Sequence, residues 1–190
     1  MVLFINACVR DMSRTKRLAD RMLKRLNGPV CEIRLDKVSF PTADQAFLDL
    51  RDELVQKGNL DHPLLAFARQ FAEADTVVVA APYWDLSFPA ALKQYFEQIN
   101  AVGVTFSYSP EGIPVGMCRA KSLYYVTTAG GPIINGEYGF GYVKALAGGY
   151  YGIDDVRLIK AEGLDIQGTD TEAILRRAER DIDEMPLSLA

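Results

Sequence analysis

Ser13, Arg14 and Thr15 stand together just after an apolar run, Val2 to Ala7, and just before a stretch in which Leu18, Met22 and Leu26 recur on one helical face. Two hydroxyls and an arginine at the start of a helix, with Arg10 just upstream, suit an anion. First-turn amides have no intrahelical acceptor, and the helix dipole favours negative charge there. A terminal phosphomonoester matches that set of hydroxyls and amides without a bound metal. The loop lacks the glycines of G-x-G-x-x-G and the Lys-Ser/Thr of G-x-x-x-x-G-K-[ST], which argues against a dinucleotide fingerprint and against nucleotide hydrolysis. The alternative at this point is that Ser13 only caps the helix while Arg10 and Arg14 are solvated.

A second cluster is the run Pro82-Tyr83-Trp84-Asp85-Leu86. It follows Thr76 to Ala81, a β-branched and small apolar run that fits a parallel strand buried on both faces. Pro82 ends the strand. Ser87 is the expected N-cap of the next helix, with Pro89 in its first turn and Leu92, Phe96 and Ile99 following at one-turn spacing. Aromatic side chains held between a strand end and a helix start can wall a site, or can simply be ordinary core. A third cluster, Thr128-Ala129-Gly130-Gly131, closes the strand Ser122 to Thr127 at the same sheet edge.

The elements that must position these loops follow from the pattern. Strands are expected at Val2 to Ala7, Val30 to Leu35, Thr76 to Ala81, Ser122 to Thr127 and Asp155 to Glu162. Helices are expected at Ser13 to Leu26, Ala43 to Lys57, Pro63 to Ala74, from Pro89 onward and Thr169 to Glu184, with an interrupted helix in the glycine-rich stretch Gly139 to Tyr151. Val102 to Met117 has no clear period and reads as a long loop or irregular hairpin. Alternating strands and helices give an α/β, doubly wound five-stranded parallel sheet in the order 2-1-3-4-5 with helices on both faces. In such a sheet ligands bind beyond the carboxyl ends of the strands, where all three clusters fall. A length of 190 residues suits one domain spanning 1–190.

Composition removes several classes. A net charge of −4 with no basic stripe makes nucleic acid a poor partner. No apolar run reaches the roughly 20 residues of a membrane span, and no leader precedes the first strand, so the expected location is the cytoplasm. Cys8, Cys31 and Cys118 are odd in number and scattered, fitting neither disulfides nor a metal cluster. His62, the only histidine, precedes Pro63 at a helix start and offers no triad or His-based metal centre. No metal site and no obligatory catalytic side chain are expected.

In order and spacing, Ser13-Arg14-Thr15, Ala81 to Leu86 before Pro89 to Lys93, Val102 to Phe106, and Thr127 to Gly131 resemble the flavodoxin-like NAD(P)H-dependent quinone and azo-compound reductases over about the whole chain. The resemblance implies a flavodoxin-like sheet and FMN bound noncovalently at a homodimer interface. It implies NADH or NADPH as donor and a ping-pong passage of two electrons to a quinone-like or other small acceptor. It places Ser13, Arg14 and Thr15, with Arg10 alongside, on the FMN phosphate. Pro82, Tyr83, Trp84, Asp85 and Leu86 would run beside the ring and ribityl chain, and Thr128, Ala129, Gly130 and Gly131 would border the pyrimidine end. Phe106 and Tyr108 would help cover the substrate face; as single residues they read equally well as core or dimer-contact aromatics. Asp85 stands where many azoreductases carry asparagine, and a carboxylate facing the flavin would lower its reduction potential. Two other uses of the same pocket are a flavodoxin-type electron carrier and an FMN-responsive binding protein without turnover.

Overall fold

The computed structural model describes residues 1–187. Five parallel strands form its centre: β1 (Val2–Asn6), β2 (Val30–Arg34), β3 (Thr76–Ala80), β6 (Ser122–Thr128) and β7 (Asp155–Ala161). They lie in the order β2-β1-β3-β6-β7, which is 2-1-3-4-5 when only the strands of this sheet are counted. The register is continuous, with Phe4 beside Val78 and Val78 beside Tyr124. β1 and β6 are buried throughout, as expected for parallel strands covered on both faces. β2 lies at an edge, and only Ile33 of it is buried.

Because strand side chains alternate, the sheet feeds two cores. Leu3, Ile5, Val77, Val79, Leu123 and Tyr125 point to one, completed by α3 (Ala66–Glu73) and α4 (Ala90–Ile99) through Phe71, Leu92 and Phe96. Val2, Phe4, Val78, Ala80, Tyr124 and Val126 point to the other, under α1 (Arg14–Leu23) and α6 (Thr171–Glu184). A one-residue register slip would exchange the two sets, so the hydrophobic pattern itself fixes the pairing. Outside the second core, Arg17 bridges Glu172 and Glu179 while Arg21 pairs with Asp183, tying α1 to α6.

The remaining elements refine the sequence-based expectations. α2 (Gln45–Gln56) is capped by Asp44, whose carboxylate accepts from Phe47 N–H at 2.9 Å. The helix expected from Pro63 divides into a 3₁₀ turn, Pro63–Leu65, and α3; His62 Nδ1 accepts from Leu64 N–H at 3.2 Å and caps that turn. The stretch Val102 to Met117 is an antiparallel hairpin, β4 (Phe106–Tyr108) with β5 (Pro114–Gly116). The glycine-rich stretch is α5 (Tyr142–Leu146) between π-helical turns at Glu137–Gly141 and Ala147–Tyr151. Gly152, at φ +74°, ends it in the left-handed region that glycine enters without steric cost.

Candidate active site

β1 and β3 are neighbours in the sheet although the chain leaves β1 in one direction and returns on the other side of it. That reversal opens a crevice at their carboxyl ends. The loop leaving β1 is shaped by Asn6, a buried side chain whose Oδ1 accepts from Cys8 N–H at 2.9 Å and whose Nδ2 donates to Glu32 at 2.8 Å. Burial pushes the Cys8 thiol up, against the smaller opposing effects of Ser13 and Lys16. Ser13 then caps α1, accepting from Lys16 N–H at 3.2 Å. The Thr15 and Thr128 hydroxyls meet at 2.6 Å, both buried, and join the start of α1 to the end of β6.

The loop after β3 continues the sheet pairing for a few residues: Ala81 N–H donates to Val126 O and Tyr83 N–H to Thr128 O. Trp84 and Ser87 then exchange backbone hydrogen bonds of 3.1 and 2.8 Å across Asp85 and Leu86. Those two residues have φ of +49° and +69°. Positive φ at both central positions belongs to the type I′ turn. Asp and Asn are the non-glycine residues that enter this region most readily, which accounts for either at position 85; Leu86 carries the steric cost. Ser87 is therefore a turn residue and not the expected N-cap: its hydroxyl donates to Tyr138 O at 2.5 Å, and α4 starts after Pro89 with no side-chain cap.

On the far side, the loop after β6 runs against the loop after β7. Leu164 N–H donates to Ala129 O, Asp165 N–H to Gly130 O and Gly163 N–H to Gly131 O. The Asp165 carboxylate accepts from Arg14 Nη1 at 2.7 Å, and a Cβ on Gly130 would stand 2.3 Å from its Oδ2. Glycine at 130 thus lets the Arg14–Asp165 pair close over the crevice. Glu162 anchors the next loop; Ile133 N–H, donating to it at 2.9 Å, and then the Lys160 ammonium hold its carboxyl below the usual carboxylate range.

The resulting cleft has a volume of about 400 Å³, within the usual range of small-molecule sites. Ten of the thirteen expected cofactor-contact residues line it: Arg10, Ser13, Arg14 and Thr15 at one end, Pro82, Tyr83 and Trp84 along one side, Thr128, Ala129 and Gly130 along the other. Asp85 and Leu86 are exposed at the tip of the turn and do not line it; Gly131 lies just outside, its carbonyl bonded to Gly163. Phe106 and Tyr108 are not in the cleft of their own chain. α4 carries the hairpin to the opposite edge of the sheet, where Arg119 N–H donates to Ala72 O and Lys121 N–H to Asp75 O. There the Phe106 ring is buried against Tyr150 at 4.8 Å while Tyr108 is exposed.

Val9, Met12, Leu164 and Asp165 also line the cleft and are absent from the sequence-based set. The available signal for the last two was their place, directly after the fifth strand at the same sheet edge. Among the described residues no group of three or more His, Cys, Asp or Glu side chains is placed to hold a metal, and no helix is long and apolar enough to cross a membrane.

A five-stranded parallel sheet in the order 2-1-3-4-5 with its cleft at the β1/β3 switch point defines a class, the flavodoxin-like fold. The chain belongs to that family, whose model matches residues 1–185. Within it, the chain is 38% identical over 189 residues, 92% of each protein, to the FMN-dependent NADH:quinone oxidoreductase 2 of Clostridium acetobutylicum. It is 34% identical over 191 residues, 94% of this chain and 93% of the relative, to the FMN-dependent NADH:quinone oxidoreductase of Lachnoclostridium phytofermentans. Among solved structures, the azoreductase from Bacillus anthracis strain Sterne superposes with a TM-score of 0.81 at 26% identity, covering 95% of each chain.

Proposed function

We propose that this protein is an FMN-dependent NAD(P)H oxidoreductase that passes two electrons by a ping-pong mechanism to a quinone-like or other small acceptor. NADH is the donor that the relatives' names give. The observation that carries the reading is the single cleft in which the capped N-terminus of α1 faces an aromatic loop and a glycine-containing loop. Its two ends have the separate chemistries of an anionic tail and a planar ring.

The donor set fits FMN. At the phosphate end the Ser13 hydroxyl, the first-turn amides and the Arg10 and Arg14 guanidiniums supply hydrogen bonds and positive charge. Asp165 offsets part of that charge and orients Arg14. At the ring end Pro82, Tyr83 and Trp84 supply stacking surface, with Asp85 and Leu86 shaping the turn that presents them. Thr128 to Gly131 supply backbone dipoles, which are worth most where water is excluded and negative charge develops. When bound, the FMN group supplies two-electron transfer between a nicotinamide and an acceptor that use the pocket in turn. No side chain needs to act as an obligatory acid or base.

The working unit we infer is a cytoplasmic homodimer of single-domain chains. Tyr108, Ile113, Val115 and Met117 are exposed on the hairpin, and Met12, Ile134 and Tyr138 are exposed on loops at the cleft edge of the sheet. Exposed apolar side chains grouped on the hairpin and at the cleft edge support association surfaces there. In such a dimer Phe106 anchors the hairpin and Tyr108 reaches toward the partner's cleft, which reconciles their expected substrate contact with their distance from the cleft of their own chain.

Titration of the protein with FMN tests the assignment. Saturable, one-to-one quenching of fluorescence from Trp84, the only tryptophan, is expected. Absence of binding by a folded protein would overturn it.

A further inference from the structure

The loop that leads from β1 to α1 is pinned only at its two ends. At the β1 end Ala7 N–H donates to Ala80 O at 2.8 Å, Cys8 N–H donates to Asn6 Oδ1 at 2.9 Å, and the buried Cys8 thiol lies 3.8 Å from Ala80 O. At the other end Ser13 caps α1. Val9 to Met12 are exposed, form a short turn at Asp11 and Met12, and make no hydrogen bond to the rest of the fold among the described residues. Three of them, Val9, Arg10 and Met12, line the cleft. Asn6 is only 1% exposed and does not line it. Whatever Asn6 does for a ligand, it does through the loop.

An amide side chain has two ends, and only one suits this turn. Oδ1 accepts from Cys8 N–H, whereas the Nδ2 end in the same place would set donor against donor. Glu32 decides between them. It stands opposite Phe4 in the β1–β2 register, on the sheet face that Asn6 shares. Its Oε1 accepts from Asn6 Nδ2 at 2.8 Å. An ionised carboxylate accepts and never donates, so it takes the Nδ2 end and leaves Oδ1 for the loop. Glu32 has no ion-pair partner among the described residues.

We propose that Asn6, held in orientation by Glu32, is a positioning residue for the phosphate end of the cleft. It sets the direction of the loop before a ligand arrives, so that Arg10 and the first-turn amides of α1 converge on an anion. This rests on the reading of the cleft as an FMN site. A loop that must be ordered as the anion binds subtracts that ordering from the affinity, and a loop ordered in advance does not. The edge strand β2, which contributes nothing to the cleft wall, thereby acts on affinity through Glu32. The effect is confined to the phosphate end, because Tyr83, Trp84 and Gly130 are carried by the loops after β3 and β6 and not by the loop that Asn6 holds.

Fluorescence titrations with FMN and with riboflavin, which has the same ring and ribityl chain without the phosphate, test this. The wild type should bind FMN more tightly than riboflavin. Asn6→Ala should weaken FMN about 5-fold, the usual worth of one net hydrogen bond, and leave riboflavin affinity within a factor of about two. A merely structural role would weaken both flavins alike. Asn6→Asp keeps an acceptor for Cys8 N–H but sets a second carboxylate against Glu32. It should weaken FMN at least as much as Asn6→Ala does, and should cost far less in a Glu32→Gln background, where the new amide donates to the new carboxylate. Long-range repulsion of the phosphate would cost the same in both backgrounds. If Asn6→Ala does not fold, or riboflavin binds too weakly to titrate, the aspartate pair decides alone. Equal loss for both flavins, unchanged FMN affinity, or an equal aspartate cost in both backgrounds would overturn the inference while FMN binding by the wild type stands. A folded wild type that binds neither flavin would overturn the reading of the cleft, and this inference with it.

Discussion

Ser13 has two duties that a single pair of substitutions can separate. Its hydroxyl caps α1 by accepting from Lys16 N–H, and it lines the cationic end of the cleft. Ser13→Ala removes both. Loss of the cap should cost about 1 kcal/mol, lowering the melting temperature by about 2–4 °C for a chain of this length. Loss of a charge-assisted hydrogen bond to the FMN phosphate should cost about 1.5–3 kcal/mol of binding, which is roughly 10- to 150-fold in Kd. Ser13→Asp restores a good cap and adds a favourable charge at the helix N-terminus. Its melting temperature should equal or exceed that of the wild type, yet its carboxylate faces a dianion, and FMN affinity should fall below that of the alanine variant. Thermal unfolding of the flavin-free proteins by circular dichroism, beside FMN fluorescence titrations, gives both numbers. An aspartate variant that binds FMN within a factor of two of wild type would show that the phosphate does not sit at Ser13.

The remaining predictions concern the groups that hold the cleft together. Thr15→Val or Thr128→Val leaves one buried hydroxyl without its 2.6 Å partner and should destabilise by about 1–3 kcal/mol. The double variant should be less destabilised than the sum, and strict additivity in urea unfolding would refute the pairing. The Glu162 carboxyl is depressed first by Ile133 N–H and then by Lys160, so its stabilisation is present above the ordinary carboxylate pKa and fades as pH falls through the lower folded value. Glu162→Gln should accordingly be less stable than wild type at pH 7, with the gap closing toward pH 3; a gap independent of pH would contradict this. Ile113→Lys on the exposed hairpin should shift the protein from dimer toward monomer in light scattering at micromolar concentration, whereas a wild type that is already monomeric would sink the dimer proposal.

Much of the fold is legible in the chain because local and global signals agree. The run Thr76 to Ala81 has no polar alternation, so it had to be a strand buried on both faces, and Pro82 had to end it. Ser13 before an amphipathic stretch had to start a helix. Ser87 carries the same local signal as Ser13 and is used differently, because the Trp84–Ser87 turn and the Tyr138 carbonyl claim it first. That outcome depends on a residue 51 positions away. Asp165 offers in sequence only its place after the fifth strand; its role depends on Arg14 and Gly130, which the crossover topology brings to it. Phe106 and Tyr108 show the limit of reading a site from sequence order. Their position follows from the direction of α4, which takes them away from the cleft of their own chain; the contact with a cleft that we propose for them would be with a second chain's.

Anaerobic stopped-flow mixing tests the central claim most directly. The protein loaded with FMN is mixed with NADH while the visible absorbance band of the oxidised flavin is followed, and a one-ring quinone is then added in a second mix. Loss of the band with NADH alone, at a rate no slower than turnover, followed by its full return on quinone addition with two electrons transferred per flavin, is the predicted result. A band that neither NADH nor NADPH bleaches, in a protein shown to bind FMN, would contradict the claim.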